Sequence, residues 1–201
     1  MTLSSAPTPN RIVAELFSPA TNARKTMSDF DYSSYSIELS QQALNKAMLE
    51  AVDFIHAEGW DAKPTLFALV PSSLLHDSLS EFEADDSPLA LVIQEDLPDN
   101  ILPGTQELGD YISRIVWPEQ VLGAILAQEI VFKDASNPEQ DARPARLFSG
   151  VLRGEAEQTL LQLRPTEEEL EKRGPFAEDE VELRGGHGVA PGVIATLRST
   201  F

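Results

Sequence analysis

Apolar residues change their spacing several times along this chain, and each change marks an element. Between Ser40 and Glu58, Leu44, Ala47, Met48, Ala51, Val52 and Ile55 recur at steps of three and four. That spacing lines one face of an amphipathic helix, and Gly59 then offers a left-handed cap. Residues 66–70 are apolar at every position and closed by Pro71, too short for a helix and read as a buried strand. Ser72 to Leu75 opens a short helical turn, residues 81–87 form a polar loop, and 89–93 repeat the short apolar run of a strand. Thr105 is a fitting N-cap for a second helix whose stripe is Leu108, Tyr111, Ile112 and Ile115, stopped before Pro118.

The second half reads mainly as strands. Residues 120–133 are dense enough in apolar side chains for a helix, but the β-branched Val121, Ile125 and Val131 favour a long strand. Two runs at 146–152 and 157–163, with Gly154 between them, predict a hairpin. The stretch 165–186 is acidic, weakly patterned and interrupted by Pro175, hence an exposed connection with one turn of helix at 167–172. Pro191 at a first helical position, followed by Val193, Ile194, Leu197 and Phe201, predicts a short terminal helix. This order lacks the regular alternation of a parallel doubly wound sheet. It predicts an α+β fold, a mostly antiparallel sheet with helices packed on one face, as a single domain over 36–201. Residues 1–35, rich in Ser, Thr, Pro, Asn and Asp without a sustained period, read as a flexible tail. Met27-Ser28-Asp29-Phe30 offers an alternative start that would leave out 1–26.

Charge narrows the partners. The 201 residues carry 33 acidic against 15 basic side chains, a formal net charge of -18. Such a field repels nucleic acid and anionic membranes. The imbalance is local as well: no lysine or arginine lies between Lys63 and Arg114, whereas Asp77, Glu81, Glu83, Asp85, Asp86, Glu95, Asp96, Asp99, Glu107 and Asp110 do. Cysteine is absent, which removes disulfides and thiolate chemistry and fits a reducing compartment, so the cytoplasm is expected. No segment approaches the roughly 20 apolar residues of a membrane-spanning helix.

Four short patterns carry a resemblance: Gly59-Trp60-Asp61 with Pro64 and Leu66-Phe67-Ala68-Leu69-Val70; Ile115, Trp117-Pro118, Val121 and Gly123; Gly150-Val151-Leu152-Arg153; and Val189-Ala190-Pro191-Gly192. In this order the chain resembles, from about residue 39 to 201, a family of conserved, uncharacterised actinobacterial proteins of similar size. The acidic stretch 165–185 and the long N-terminus depart from that leaner pattern. The resemblance implies a cytoplasmic bacterial protein and carries no activity, cofactor or catalytic residue.

Catalytic constellations find little support. Ser149-Gly150 lacks the preceding glycine of a nucleophile elbow. Gly185-Gly186-His187-Gly188 has the look of an oxyanion-hole loop, yet without an elbow serine it reads as a flexible entry to the last helix. His187 has only His56 and His76 as imidazole companions, none at helical ligand spacing, and Asp85 and Asp86 lack an EF-hand frame. His56, near a helix C-terminus, suits the helix dipole and reads as structural. Neither common phosphate-binding glycine fingerprint occurs, so no metal or cofactor is expected. The binding-site candidates are Trp60, Asp61, Trp117, Glu129 and His187. Packing is the plainer role for the two tryptophans, a backbone turn for Asp61, and an outward position for Glu129, although burial would demand a partner for that carboxylate. The reading is a non-enzymatic soluble interaction module whose acidic surface meets a basic protein segment or simply keeps the protein soluble. The alternative is a small carboxylate-dependent enzyme using Glu129 with His187. Oligomeric state is left open.

Overall fold

The computed structural model describes residues 38–75, 87–94, 97–98, 100–134, 139, 141–174, 180–186 and 188–201. The expected tail at 1–35, His187 and most of the acidic run from Asp77 to Asp99 lie outside the described residues.

Helix α1 (Gln41–Glu58) starts where the Ser40 side chain accepts a hydrogen bond from the Ala43 amide. It ends at Gly59, whose φ of 82° and ψ of 177° lie in a region open essentially to glycine rather than in the left-handed cap conformation expected. Strand β1 (Thr65–Pro71) follows, then a 3-10 turn at Ser72–Leu74, strand β2 (Leu89–Gln94) and helix α2 (Gln106–Ile112). Thr105 caps α2 by accepting from the Leu108 amide. The second half holds β3 (Gly123–Phe132), β4 (Arg143–Leu152), β5 (Glu157–Leu163), α3 (Glu167–Arg173), β6 (Leu183–Gly186) and α4 (Pro191–Arg198). Residues 120–133 thus supply a strand and not a helix, and 146–163 a hairpin, as the β-branched content and Gly154 predict.

The six strands among the described residues form one antiparallel sheet in the order β2-β1-β3-β4-β5-β6. The α+β class and antiparallel sheet are those expected, but the helices do not share one face. Phe67, Leu69, Ile125 and Phe148 point to α1, where Leu44, Met48, Ala51 and Ile55 complete one core. The alternate residues Leu66, Ala68, Ala124, Leu126 and Val151 point to the other side, where Leu108 and Ile112 of α2 and Ile194 and Leu197 of α4 complete a second. A strand buried on both faces must be apolar at successive positions, which is why β1 reads as an unbroken run.

In the stretch 165–186 the helix expected at 167–172 is present as α3, held by a capping box between Thr166 and Glu169, and the correction is the edge strand β6 paired with β5. Gly185 explains why β6 has no strand-like pattern: with φ of 121°, a Cβ there would lie 2.3 Å from the Thr159 carbonyl oxygen. Close approach to β5 therefore requires glycine, a residue otherwise depleted in strands.

Candidate functional site

The turn after α1 meets the far ends of β3, β4 and β5. On the α1 face, Glu129 of β3 stands opposite Arg146 of β4, and Arg146 stands opposite Gln162 of β5. This row of polar side chains lies just past the reach of the helix, and residues 59–61 close over it.

Glu129 is half-buried and saturated with donors. Its Oε1 and Oε2 accept from the Asp61 amide at 2.9 and 3.1 Å, and Oε1 also accepts from the Ala62 amide and from Arg146 Nε, both at 3.4 Å. The outward position expected for Glu129 is therefore replaced by an inward one, because the carboxylate binds the turn and pairs with a cation. Arg146 is 1% exposed. Its Nη2 donates to the Gly59 carbonyl, its guanidinium carbon lies 4.0 Å from the Trp60 ring centroid, and its Nη1 has no hydrogen-bond partner. The face of an indole offsets part of that lost hydration. Burial lowers the Arg146 pKa, while Glu129 opposes that shift.

Asp61 adopts φ of 67°, unusual for a residue with a side chain. Glu129 holds its amide, and its carboxylate receives both terminal nitrogens of Arg164 at 2.8 and 3.1 Å. The hydrogen bond from Arg164 is the main reason that the Asp61 pKa is lowered. Arg164 also places its guanidinium carbon 5.4 Å from the Trp60 ring. Trp60, Asp61 and Glu129 thus come together, joined by Arg146 and Arg164. The sequence signal for Arg146 was a charge inside an apolar strand; Arg164, just past a strand end, had none.

Trp117 sits apart, in the core on the opposite face of the sheet. Its Nε1 donates to Thr200 Oγ1 at 2.9 Å and its ring stacks on Phe201, with 6.2 Å between centroids. It therefore anchors the C-terminus. His187 lies outside the described residues, so its approach to Glu129 is not on view.

Among the described residues, cavities open at two places beside the sheet. A polar one of about 60 Å³ adjoins the Trp60 turn and is lined by His56, Trp60, Arg143, Gln162, Glu169 and others. A larger, mostly apolar one of about 270 Å³ lies at the Gln94 end of β2, among Lys63, Ile93, Leu97, Ile101 and Leu108. Strand β2 is the outermost strand on its side and, among the described residues, pairs with β1 alone. Among the described residues there is no group of three or more histidines or carboxylates able to hold a metal ion. None of the described helices is long and apolar enough to cross a membrane.

A six-stranded antiparallel sheet covered by helices on both faces, with a charge-compensated turn at one end, defines a protein of the α+β class. The chain belongs to the PPA1309-like protein family, whose model matches residues 44–201. Comparison with the curated proteins and with the solved structures finds no match.

Proposed function

We propose that this protein is a non-enzymatic interaction module that takes an extended basic protein segment along the edge of β2. The observation that carries this reading is the outer side of β2, six residues without a single charge that pair with no further strand among the described residues. An edge strand without charges, proline or a bulge is an open template for a seventh strand. In sequence that strand is bracketed by Asp85 and Asp86 before it and by Glu95, Asp96 and Asp99 after it. Charge of one sign at both ends selects lysine- and arginine-bearing segments and speeds their encounter. The 270 Å³ cavity at the Gln94 end offers apolar walls for one anchoring side chain.

Catalysis by Glu129 is the weaker reading. A general base needs a lone pair directed at substrate, and this carboxylate already accepts from two backbone amides and a guanidinium. We assign the binding role to residues 36–201, acting in the cytoplasm, with nucleic acid and membranes disfavoured as partners by the net charge of -18.

The test is affinity capture from the native cell lysate at low and high salt, followed by hydrogen exchange on the complex. Capture should weaken at high salt and when Asp85, Asp86, Asp96 and Asp99 become asparagine. Alternate amides between Leu89 and Gln94, those that do not bond to β1, should gain protection on binding. A partner indifferent to salt and to the asparagine changes, or one that protects another surface, refutes the proposal.

A further inference from the structure

The backbone pattern of β1 fixes which groups of β2 face outward. The Leu122 amide donates to the Leu69 carbonyl on the β3 side, and the Ser72 amide donates to the Pro88 carbonyl on the β2 side. Backbone groups alternate between neighbours along an antiparallel strand, so Leu66, Ala68 and Val70 serve β2, and their partners Gln94, Val92 and Ala90 turn inward. Leu91 and Ile93 therefore direct both N–H and C=O away from β1, as Leu89 does its N–H, while the Leu89 carbonyl takes the Ser87 hydroxyl at 2.9 Å. Side chains along this edge are half-buried and apolar on both faces: Leu91 and Ile93 toward α1, Ala90 and Val92 toward α2. A seventh strand here would be covered on both sides, which calls for apolar residues at successive positions.

The sequence outside the described residues holds one such segment. Ile12-Val13-Ala14-Glu15-Leu16-Phe17 is apolar at five of six positions, equals β2 in length, and is bounded by Pro9 and Pro19. Its surroundings carry the opposite charge to the rest of the chain. Residues 1–28 hold three basic side chains, Arg11, Arg24 and Lys25, against Glu15 alone; residues 29–201 hold 12 basic against 32 acidic. That stretch is thus drawn to the acidic residues flanking β2 in sequence, Asp85 and Asp86 before it and Glu95, Asp96 and Asp99 after it. The reach is adequate. Gln41, the first residue of α1, donates to the Glu157 carbonyl at the start of β5, and five strand spacings from β5 to a strand beyond β2 come to about 24 Å. The 23 residues from 18 to 40 can span up to about 75–80 Å, and a random coil of that length averages about 24–29 Å. Resting on the reading of β2 as a docking edge, we infer that residues 12–17 pair with β2 as a seventh strand, so that the chain covers its own edge and a partner must displace this segment.

Hydrogen exchange on the full chain tests this, with Val13→Pro and Ala14→Pro introduced together. Consecutive residues present their amides to opposite sides, so one missing N–H faces β2 in any register. At an effective concentration on the order of 1 mM, a segment with an intrinsic Kd of about 0.1 mM protects the edge amides about tenfold. The Leu91 and Ile93 amides should lose that protection in the double variant, while those of α1 and β3 keep theirs. Arg11→Glu with Arg24→Glu and Lys25→Glu should lower it too, without any added proline. Leu91 and Ile93 amides that exchange alike in the parent and both variants, whether fast or slow, overturn the inference. Protection that rises with protein concentration also overturns it, because the segment then lies on a second copy. The docking reading is scored apart. A basic partner that protects Leu91 and Ile93, with no gain in affinity when the segment is disrupted, upholds docking and overturns self-cover. A partner that protects another surface refutes docking, while loss of protection in the double variant still supports self-cover.

Discussion

Replacing Glu129 by glutamine preserves the shape of the side chain and removes its charge, which isolates what the carboxylate does for the turn after α1. One oxygen is exchanged for an NH2 that faces the Asp61 amide or the Arg146 guanidinium, a donor set against donors. Arg146, 1% exposed, then loses its counter-ion. Hydrogen bonds to a charged group contribute about 1.5–3 kcal/mol, and breaking a buried ion pair from one side costs about 3–5 kcal/mol. Glu129 keeps 19% of its side chain exposed and its contact with Arg146 is long at 3.4 Å, which argues for the low end. We expect a loss of about 3 kcal/mol, or a fall in Tm of about 6–12 °C for a chain of this size. Urea unfolding followed by circular dichroism at neutral pH measures it, with the midpoint falling and the slope unchanged. In a double-mutant cycle with Arg146→Met the two losses should overlap by about 1–2 kcal/mol, because both substitutions remove one interaction. A loss below about 1 kcal/mol for Glu129→Gln would place this pair among surface ion pairs and refute the reasoning.

Two further outcomes follow from packing and titration. Gly123→Ala should destabilise more than Gly150→Ala in the same unfolding assay. A Cβ at 123 meets the Val151 backbone oxygen at 2.4 Å, whereas at 150 it meets the movable Met48 sulfur at 2.6 Å, so Gly150→Ala should cost about 1–3 kcal/mol. Glu169 has its pKa lowered from 4.5 to about 2, chiefly by its hydrogen bonds from Arg143 and then from the Thr166 amide. A carboxylate with a depressed folded-state pKa stabilises fully above its unfolded value and loses that contribution as pH falls through the folded one. Glu169→Gln should therefore flatten the decline in stability between about pH 4.5 and pH 2; an unchanged acid limb would contradict the assignment.

Much of the secondary structure was legible because it is encoded locally. The spacing from Leu44 to Ile55, the cap residue Thr105, Gly154 at the hairpin and Pro191 at a helix start act within one or two turns of chain, so a reading of neighbours finds them. Trp60, Asp61 and Glu129 stood out by residue type, but their assembly did not follow from type. Glu129 meets Arg146 across 17 residues only because β3 and β4 pair in one particular register, and Asp61 meets Arg164 across 103 residues through the folded sheet. A one-residue slip would send Glu129 to the opposite face. Strand β6 was invisible because Gly185 and Gly186 contribute backbone and no apolar side chain, leaving no period to detect. The unbroken apolar run at 66–70 signalled a buried strand, and its cover on both faces is what the structure adds. Which helix covers which face was decided by tertiary packing: side-chain alternation divides a strand into two faces, and the chain's path between elements determines what lies over each.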